Sequence, residues 1–279
     1  MRHPARLLIG QLKVHELEDK VTIVTGAGSG IGRATALLFA EEGANVLVAD
    51  ISQENGNKTV DLISQKFGKD RSSFVRADVA NEDDVKNVID TAVEKFGKLD
   101  VIFNNAGIYE WTSIEETPTE IWDRIIAVNL RGAFLGTKYS VPHLKKTRGV
   151  IVNTSSSLGV AGALESAAYA ASKHGVIGLT KASALDLAQY QIRVNCICPG
   201  SIDTAMQAKE FARAPDPDKA RQAYNKIYPL GRIGRPDEVA DLVLFLATDR
   251  SSFITGTPFL IDGGVFAQWA ESLASKIAV

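Results

Sequence analysis

A single α/β domain on a doubly wound parallel sheet of about seven strands, with helices on both faces, is the fold this sequence predicts. Three observations carry it. From Lys20 onward, short β-branched runs alternate with long amphipathic stretches; the short runs are apolar along their whole length; and no repeat, Ser/Gly linker or charge block divides the chain. Strands without polar alternation are buried on both faces, as happens where crossover helices cover a parallel sheet. Right-handed crossovers then give the doubly wound arrangement.

Strands are expected at Val21–Thr25, Asn45–Ala49, Ser73–Arg76, Val101–Asn104, Val150–Thr154, Arg193–Ile197 and Pro258–Ile261. The intervening helices are expected at Ile31–Glu42, Gln53–Phe67, Glu82–Phe96, Pro118–Leu144, Ala167–Gln189 and Pro236–Ala247. Between Asp203 and Pro229 the alternation breaks. That segment is helical and polar, but Ala214-Pro215-Asp216-Pro217 interrupts it, as proline clusters punctuate helices. Because it follows the carboxyl end of a strand, 203–229 reads as a mobile lid over a ligand crevice. Val265–Val279 sets Phe266, Trp269, Leu273 and Ile277 on one face of a tail helix. The division is therefore an N-terminal extension at 1–16, the domain proper at 17–264 and the tail at 265–279.

Hydrophobic residues make up 45% and charged residues 23%, enough apolar material for one core. A net charge of −2 leaves no electrostatic footprint for nucleic acid or an anionic membrane. No apolar stretch approaches the roughly 20 residues that span a bilayer. The opening MRHPARLLIGQLKVHE is mildly basic and lacks the long apolar centre of a secretory signal; it reads as an untidy extension, with a transit peptide as the alternative. The two cysteines, Cys196 and Cys198, share one strand face and have no histidine close in sequence, so they read as small core residues. No metal site is expected, and the low cysteine count fits a reducing, cytoplasmic location.

After the first strand comes Thr25-Gly26-Ala27-Gly28-Ser29-Gly30-Ile31-Gly32, and then a helix. Glycines here allow a tight turn and let backbone N–H groups approach a diphosphate, to which the helix N-terminus adds partial positive charge. Asp50 ends the second strand, 18 residues after Gly32. A carboxylate there accepts hydrogen bonds from adenosine ribose hydroxyls and repels a 2′-phosphate, which favours NAD over NADP. Arg33 is the cation that competes with this reading.

Tyr169-Ala170-Ala171-Ser172-Lys173 opens a helix, and residues i and i+4 share a helix face. A free phenol with pKa near 10 is a poor base at neutral pH; a neighbouring ammonium favours the phenolate. Such a pair alone is weak evidence, but its surroundings add to it. The fifth strand runs out into Ser155, Ser156 and Ser157, the fourth into Asn104-Asn105-Ala106-Gly107, and Asn129 sits inside a helix, where Asn is disfavoured. On chemistry alone the three serines are equivalent.

Together these strings resemble the short-chain dehydrogenase/reductase family, from about Lys20 to Gly264. They are TGAGSGIG, Asp78-Val79, NNAG, Asn129 in VNLRGAF, the serine run, YAASK, Pro199-Gly200 with Thr204, and IDGG. The resemblance implies a Rossmann-type fold and hydride transfer between a secondary alcohol or its carbonyl and a nicotinamide. It casts Tyr169 as the acid/base, Lys173 as the group that lowers its pKa and binds the nicotinamide ribose, and Ser156 as the holder of the substrate oxygen. Asn129 would bind a water relaying protons from Lys173. For the cofactor it implicates Gly26, Ser29, Gly30, Ile31, Gly32, Asp50, Asp78, Val79, Asn105, Ala106, Gly107, Tyr169, Lys173, Pro199, Gly200, Ile202 and Thr204. Family members are commonly homotetramers, formed through the two long helices.

The substrate is a small alcohol or carbonyl compound. The resemblance sets the pocket at Tyr109, Glu110, Trp111, Ser157, Leu158, Ala163, Leu164 and Glu165 and in the lid after Thr204, and Glu110 with Glu165 suggests a sugar or polyol. Two other readings compete. One is an NADPH-dependent carbonyl or 3-oxoacyl-thioester reductase, against which Asp50 argues. The other is a catalytically silent nucleotide-binding scaffold, which should have lost Tyr169, Lys173 or Ser156.

Overall fold

The computed structural model describes residues 15–268. Seven parallel strands run in the order β3-β2-β1-β4-β5-β6-β7: β1 Val21–Thr25, β2 Asn45–Asp50, β3 Ser72–Arg76, β4 Val101–Asn104, β5 Val150–Thr154, β6 Arg193–Pro199 and β7 Pro258–Ile261. This is the predicted sheet, with β6 two residues longer. The helices are α1 Gly30–Glu41, α2 Gln53–Phe67, α3 Glu82–Phe96, α4 Thr119–Ile126, α5 Gly132–Thr147, α6 Ala167–Leu187, α7 Ala205–Phe211, α8 Pro217–Ile227 and α9 Pro236–Ala247.

The strands are apolar on both faces because each face has its own core. Val24, Val46, Val48, Phe103 and Val152 pack with Ala36 and Phe39 of α1 and Val239 and Val243 of α9. Their neighbours Ile23, Leu47, Ile102 and Ile151 turn the other way, onto Val88 and Ile89 of α3, Leu135 of α5 and Ala184 of α6. Period-2 alternation thus sorts one apolar string into two cores. Cys196 and Cys198 are fully buried and pack with Ile177 of α6.

Local chemistry sets the helix ends. Asn81 caps α3 by accepting from Asp83 and Asp84 N–H, three acidic residues fill that helix's first turn, and Gly97 closes it at φ 84°. Asp216 caps α8 ahead of Pro217, accepting from Lys219 N–H at 3.0 Å. The predicted Pro118–Leu144 helix is two helices joined by a π turn at Ala127–Arg131, with Asn129 at its centre. Pitch changes of this kind are a place where side chains are re-aimed.

Between β1 and β4 the chain order reverses, so a crevice opens at their carboxyl ends. Everything at 203–229 lies on that side as α7 and α8, and Tyr228 ties it to the sheet by accepting Ser201 N–H at 2.6 Å. Of the expected tail helix, 269–279 falls outside the described residues; Val265–Ala267 is one 3-10 turn. The N-terminal extension likewise falls outside, save for His15 and Glu16. Among the described residues no helix is long and apolar enough to cross a membrane.

Candidate active site

A cavity of about 780 Å³ runs along the carboxyl edge of the sheet, from Asp50 at one end to Phe266 at the other. Its first part is the Gly-rich turn after β1. Gly26 sits at φ +63°, and a Cβ there would lie 2.9 Å from Ala106 Cα; at Gly28 it would lie 2.7 Å from the Asp50 carboxylate. Only glycine lets these segments approach one another. Asn105 clamps the turn: its Nδ2 donates to Thr25 O at 3.0 Å, while Thr25 Oγ1 accepts from Asn105 N at 2.9 Å and Ala106 N at 3.1 Å. Gly32 does not reach the cavity. Its Cα packs against Gly26 O, where a Cβ would come within 2.2 Å, so it shapes the turn from behind.

Asp50 holds its carboxylate over this turn, accepting from Gly28 N at 2.7 Å and Ser52 N at 2.9 Å. Arg33 is turned away from the cavity: Nε donates to Thr59 Oγ1 at 3.0 Å and Nη2 to Gly28 O. Asp78 also borders the cavity and is paired with Arg124 at 2.9 Å. Ser29, Gly30, Ile31, Val79, Asn105, Ala106, Gly107, Pro199, Gly200, Ile202 and Thr204 complete this wall. An elongated cleft with exposed loop N–H groups, a close-approach glycine turn and a carboxylate at its end fits a dinucleotide.

Midway, the catalytic candidates converge. Tyr169 stands in the first turn of α6, and its ring and Ser156 line the same stretch of the cavity. Ser155 instead donates to Lys173 O at 2.8 Å, beneath the site, so the geometry separates serines that the sequence left equivalent. Lys173 is 2% exposed; its Nζ donates to Thr154 O at 2.8 Å and lies 5.5 Å from the Tyr169 ring centre. Burial pushes the Tyr169 phenol up to about 12; the nearby Ser156 hydroxyl works against this and the Glu210 charge adds to it. Burial also pushes the Lys173 ammonium down to about 8. Asn129 lies behind the wall. Its Nδ2 donates to Ile108 O at 3.0 Å and Ser172 Oγ at 3.1 Å, and its Oδ1 accepts from Ile108 N at 2.8 Å. Both amide hydrogens are therefore used inside the protein, in fixing the loop that carries Gly107 and Tyr109.

Housing Lys173 here has a measurable cost. The unfolded chain keeps its proton up to pH 10.5, whereas the fold releases it near 8. Between these values the unfolded state binds more protons, so stability rises with pH. Relative to Lys173→Met, the parent is expected to gain about 3 kcal/mol between pH 7 and pH 11, as 1.36 kcal/mol per pKa unit requires. Urea denaturation of the two proteins at both pH values reads this directly; a constant difference would refute it.

The far end is aromatic and aliphatic. The Tyr109 ring lies tilted 4.4 Å from that of Tyr169 and edge-on 4.3 Å from that of Trp111, and Leu158, Leu164, Met206, Tyr224, Ile227 and Phe266 line the rest of this end. Of the expected pocket positions, Glu110 and Glu165 do not border the cavity. Glu165 points across its mouth to Arg213, 2.7 Å away, and Arg213 covers the Trp111 ring at 5.2 Å. The two carboxylates that suggested a sugar or polyol are thus not available to one. Glu165 also sits at φ 53°, a costly conformation for a non-glycine residue, with its carbonyl accepting Thr112 N–H. The sequence reading missed Met206, Gln207, Glu210 and Tyr224 individually, though a signal was present: Gln207 and Glu210 are one turn apart on a single face of α7.

A family model described as Enoyl-(Acyl carrier protein) reductase matches residues 26–266. The chain is 46% identical over 250 residues to a 3-oxoacyl-[acyl-carrier-protein] reductase of Thermotoga maritima, covering 89% of this chain and 98% of that one. It is 44% identical over 251 residues to a cyclohexanol dehydrogenase of an Acinetobacter species, covering 89% and 96%. Among solved structures, levodione reductase superposes with a TM-score of 0.88 at 35% identity, covering 91% of this chain and all of that one.

Proposed function

Because the chain belongs to the short-chain dehydrogenase/reductase family and is an oxidoreductase, we propose that it is an NAD-dependent dehydrogenase of cyclic secondary alcohols. The observation that carries this reading is the set of aromatic and aliphatic side chains that lines the cavity beside Tyr169. Such walls suit a hydrocarbon ring. Two proteins similar to this chain, a cyclohexanol dehydrogenase and a cyclopentanol dehydrogenase, are named for cyclic alcohols.

NAD, held along the wall from Gly26 to Asp50 and from Asn105 to Thr204, would supply the hydride acceptor. The protein supplies position and proton transfer. Ser156 Oγ holds the carbinol oxygen beside Tyr169, whose phenolate accepts the hydroxyl proton as the carbon–hydrogen bond opens. Lys173 keeps a positive charge beneath that phenol, and Asn129 positions the loop opposite. In the reverse direction Tyr169 returns the proton to a ketone. Asp50, anchored at two backbone N–H groups and with Arg33 engaged elsewhere, favours NAD. Residues 203–229 act as the lid, 17–264 form the catalytic domain, and a homotetramer would cover the exposed Phe134 of α5 and Leu185 of α6.

Reduction of NAD by cyclohexanol or cyclopentanol, but not by sugars, tests the reading by nicotinamide absorbance. The second reading, a 3-oxoacyl-thioester reductase, draws on the 46% identical reductase; NADPH consumption with a 3-oxoacyl thioester and none with cyclic ketones would favour it.

Arg213 closes the lid on this reading. Replacing it by Ala removes one exposed ion pair and one cation–π contact, together about 1 kcal/mol. KM for the alcohol is expected to rise about fivefold with kcat changed little. An unchanged KM would mean that the Glu165–Arg213–Trp111 contact plays no part in retaining substrate.

A further inference from the structure

Among the described residues that line the apolar end of the cavity, the charged side chain besides Lys173 is Glu210, near the end of α7; Arg213 stands at the rim, paired with Glu165. It is held from two directions. One carboxylate oxygen accepts from the Tyr224 hydroxyl of α8, and the other accepts from Gln207 Nε2 at 2.7 Å. An ionised carboxylate offers about four acceptor positions, so two partners leave room for more. Its charge is felt at the reacting end, where it opposes ionisation of both Tyr109 and Tyr169. Covering this group with a purely apolar substrate removes water from a carboxylate and returns no hydrogen bond, which is unfavourable. A donor on the substrate reverses that balance, and a second anion worsens it.

We propose that Glu210 makes this enzyme selective for cyclic alcohols carrying a second hydrogen-bond donor, a hydroxyl or an ammonium, remote from the reacting carbinol, and makes it reject alcohols with an anionic group there. The inference rests on the cyclic-alcohol reading above and specifies its substrate. Tyr224 and Gln207 aim the carboxylate, the aromatic walls of Tyr109 and Trp111 bind the ring, and Tyr169 meets the reacting oxygen.

The test compares cyclohexanol, cyclohexane-1,4-diol, 4-aminocyclohexanol and 4-hydroxycyclohexanecarboxylate with NAD, by kcat/KM, and by calorimetric binding in the presence of NADH. The parent is expected to favour the diol and the amino alcohol over cyclohexanol by about tenfold, and to take the carboxylate about tenfold less well. In Glu210→Gln the amide still hydrogen-bonds the diol, so the losses fall on charge: the preference for the ammonium and the penalty on the carboxylate both disappear. Tyr224→Phe removes the α7–α8 bond but keeps the charge, so the substrate order should persist even if overall rates fall. A structural role for Glu210 would instead lower all four substrates equally in both variants, and that result overturns the proposal. So does a parent that takes the carboxylate as well as the diol. Turnover of cyclohexanol without this ranking sinks the inference alone, whereas failure to oxidise or bind any of the four sinks the cyclic-alcohol reading and this inference with it.

Discussion

Tyr169→Phe is expected to lower kcat by about 10³-fold or more while Kd for NAD changes by less than about threefold. The ring stays, so its tilted 4.4 Å contact with Tyr109 and the wall it forms are kept. What is lost is the hydroxyl, and with it the group proposed to exchange the substrate proton. The raised pKa sets the pH dependence. Reduction of a ketone needs the protonated phenol, which a value near 12 supplies across the neutral range, so its rate should be flat from pH 6 to 8. Oxidation needs the phenolate, so kcat/KM for the alcohol should climb with pH throughout that interval. Steady-state rates in both directions, with cofactor titrated by fluorescence, check each part. A Phe variant that retains a tenth of parental kcat would remove Tyr169 from the chemistry.

Asp50→Asn is expected to lower the ratio of kcat/KM for NAD over NADP by about 100-fold. Two effects add. The carboxylate's charge-assisted hydrogen bonds to ribose hydroxyls weaken, at about 1.5–3 kcal/mol for bonds to a charged group. The repulsion of a 2′-phosphate also disappears. Arg76 lies directly across from Asp50 in the β2–β3 register and is exposed, with its Nε donating to Ile51 O at 3.3 Å, so a cation stands near the position of an incoming phosphate. Asn is a better test than Ala because its carbonyl oxygen can still accept Gly28 N–H, which preserves the turn. Initial rates with each cofactor give the ratio; if it stays at the parental value, another group decides between the two nucleotides.

Arg33 shows where sequence reasoning stopped short. By position it stood as a rival to Asp50, one residue beyond the glycine string. Its guanidinium is in fact spent on Thr59 Oγ1 and the Gly28 carbonyl, contacts that span 26 residues in one case. Ser156 is a parallel example. Three consecutive serines carry identical chemistry, and only the packing of β5 against α6 sends Ser155 under the site to Lys173 O and leaves Ser156 facing Tyr169.

Composition and spacing alone set the sheet, its parallel sense and the strand ends at which the cleft opens. Apolar runs of uniform character require burial on both faces, and glycine turns at strand ends require close backbone approach; both are local properties, legible from composition and spacing. Tyr169 and Lys173 were legible for the same reason, since four residues on one helix are neighbours wherever that helix packs. Tertiary structure alone decided what each side chain has left to offer. The π turn that directs Asn129 to Ile108 and Ser172, the Arg213 bridge that withdraws Glu165 from the pocket, and the Tyr224 contact that aims Glu210 into it all join segments distant in sequence. A hydrogen-bonding group acts on a ligand only with the capacity its protein partners leave unused, and those partners are chosen by the fold.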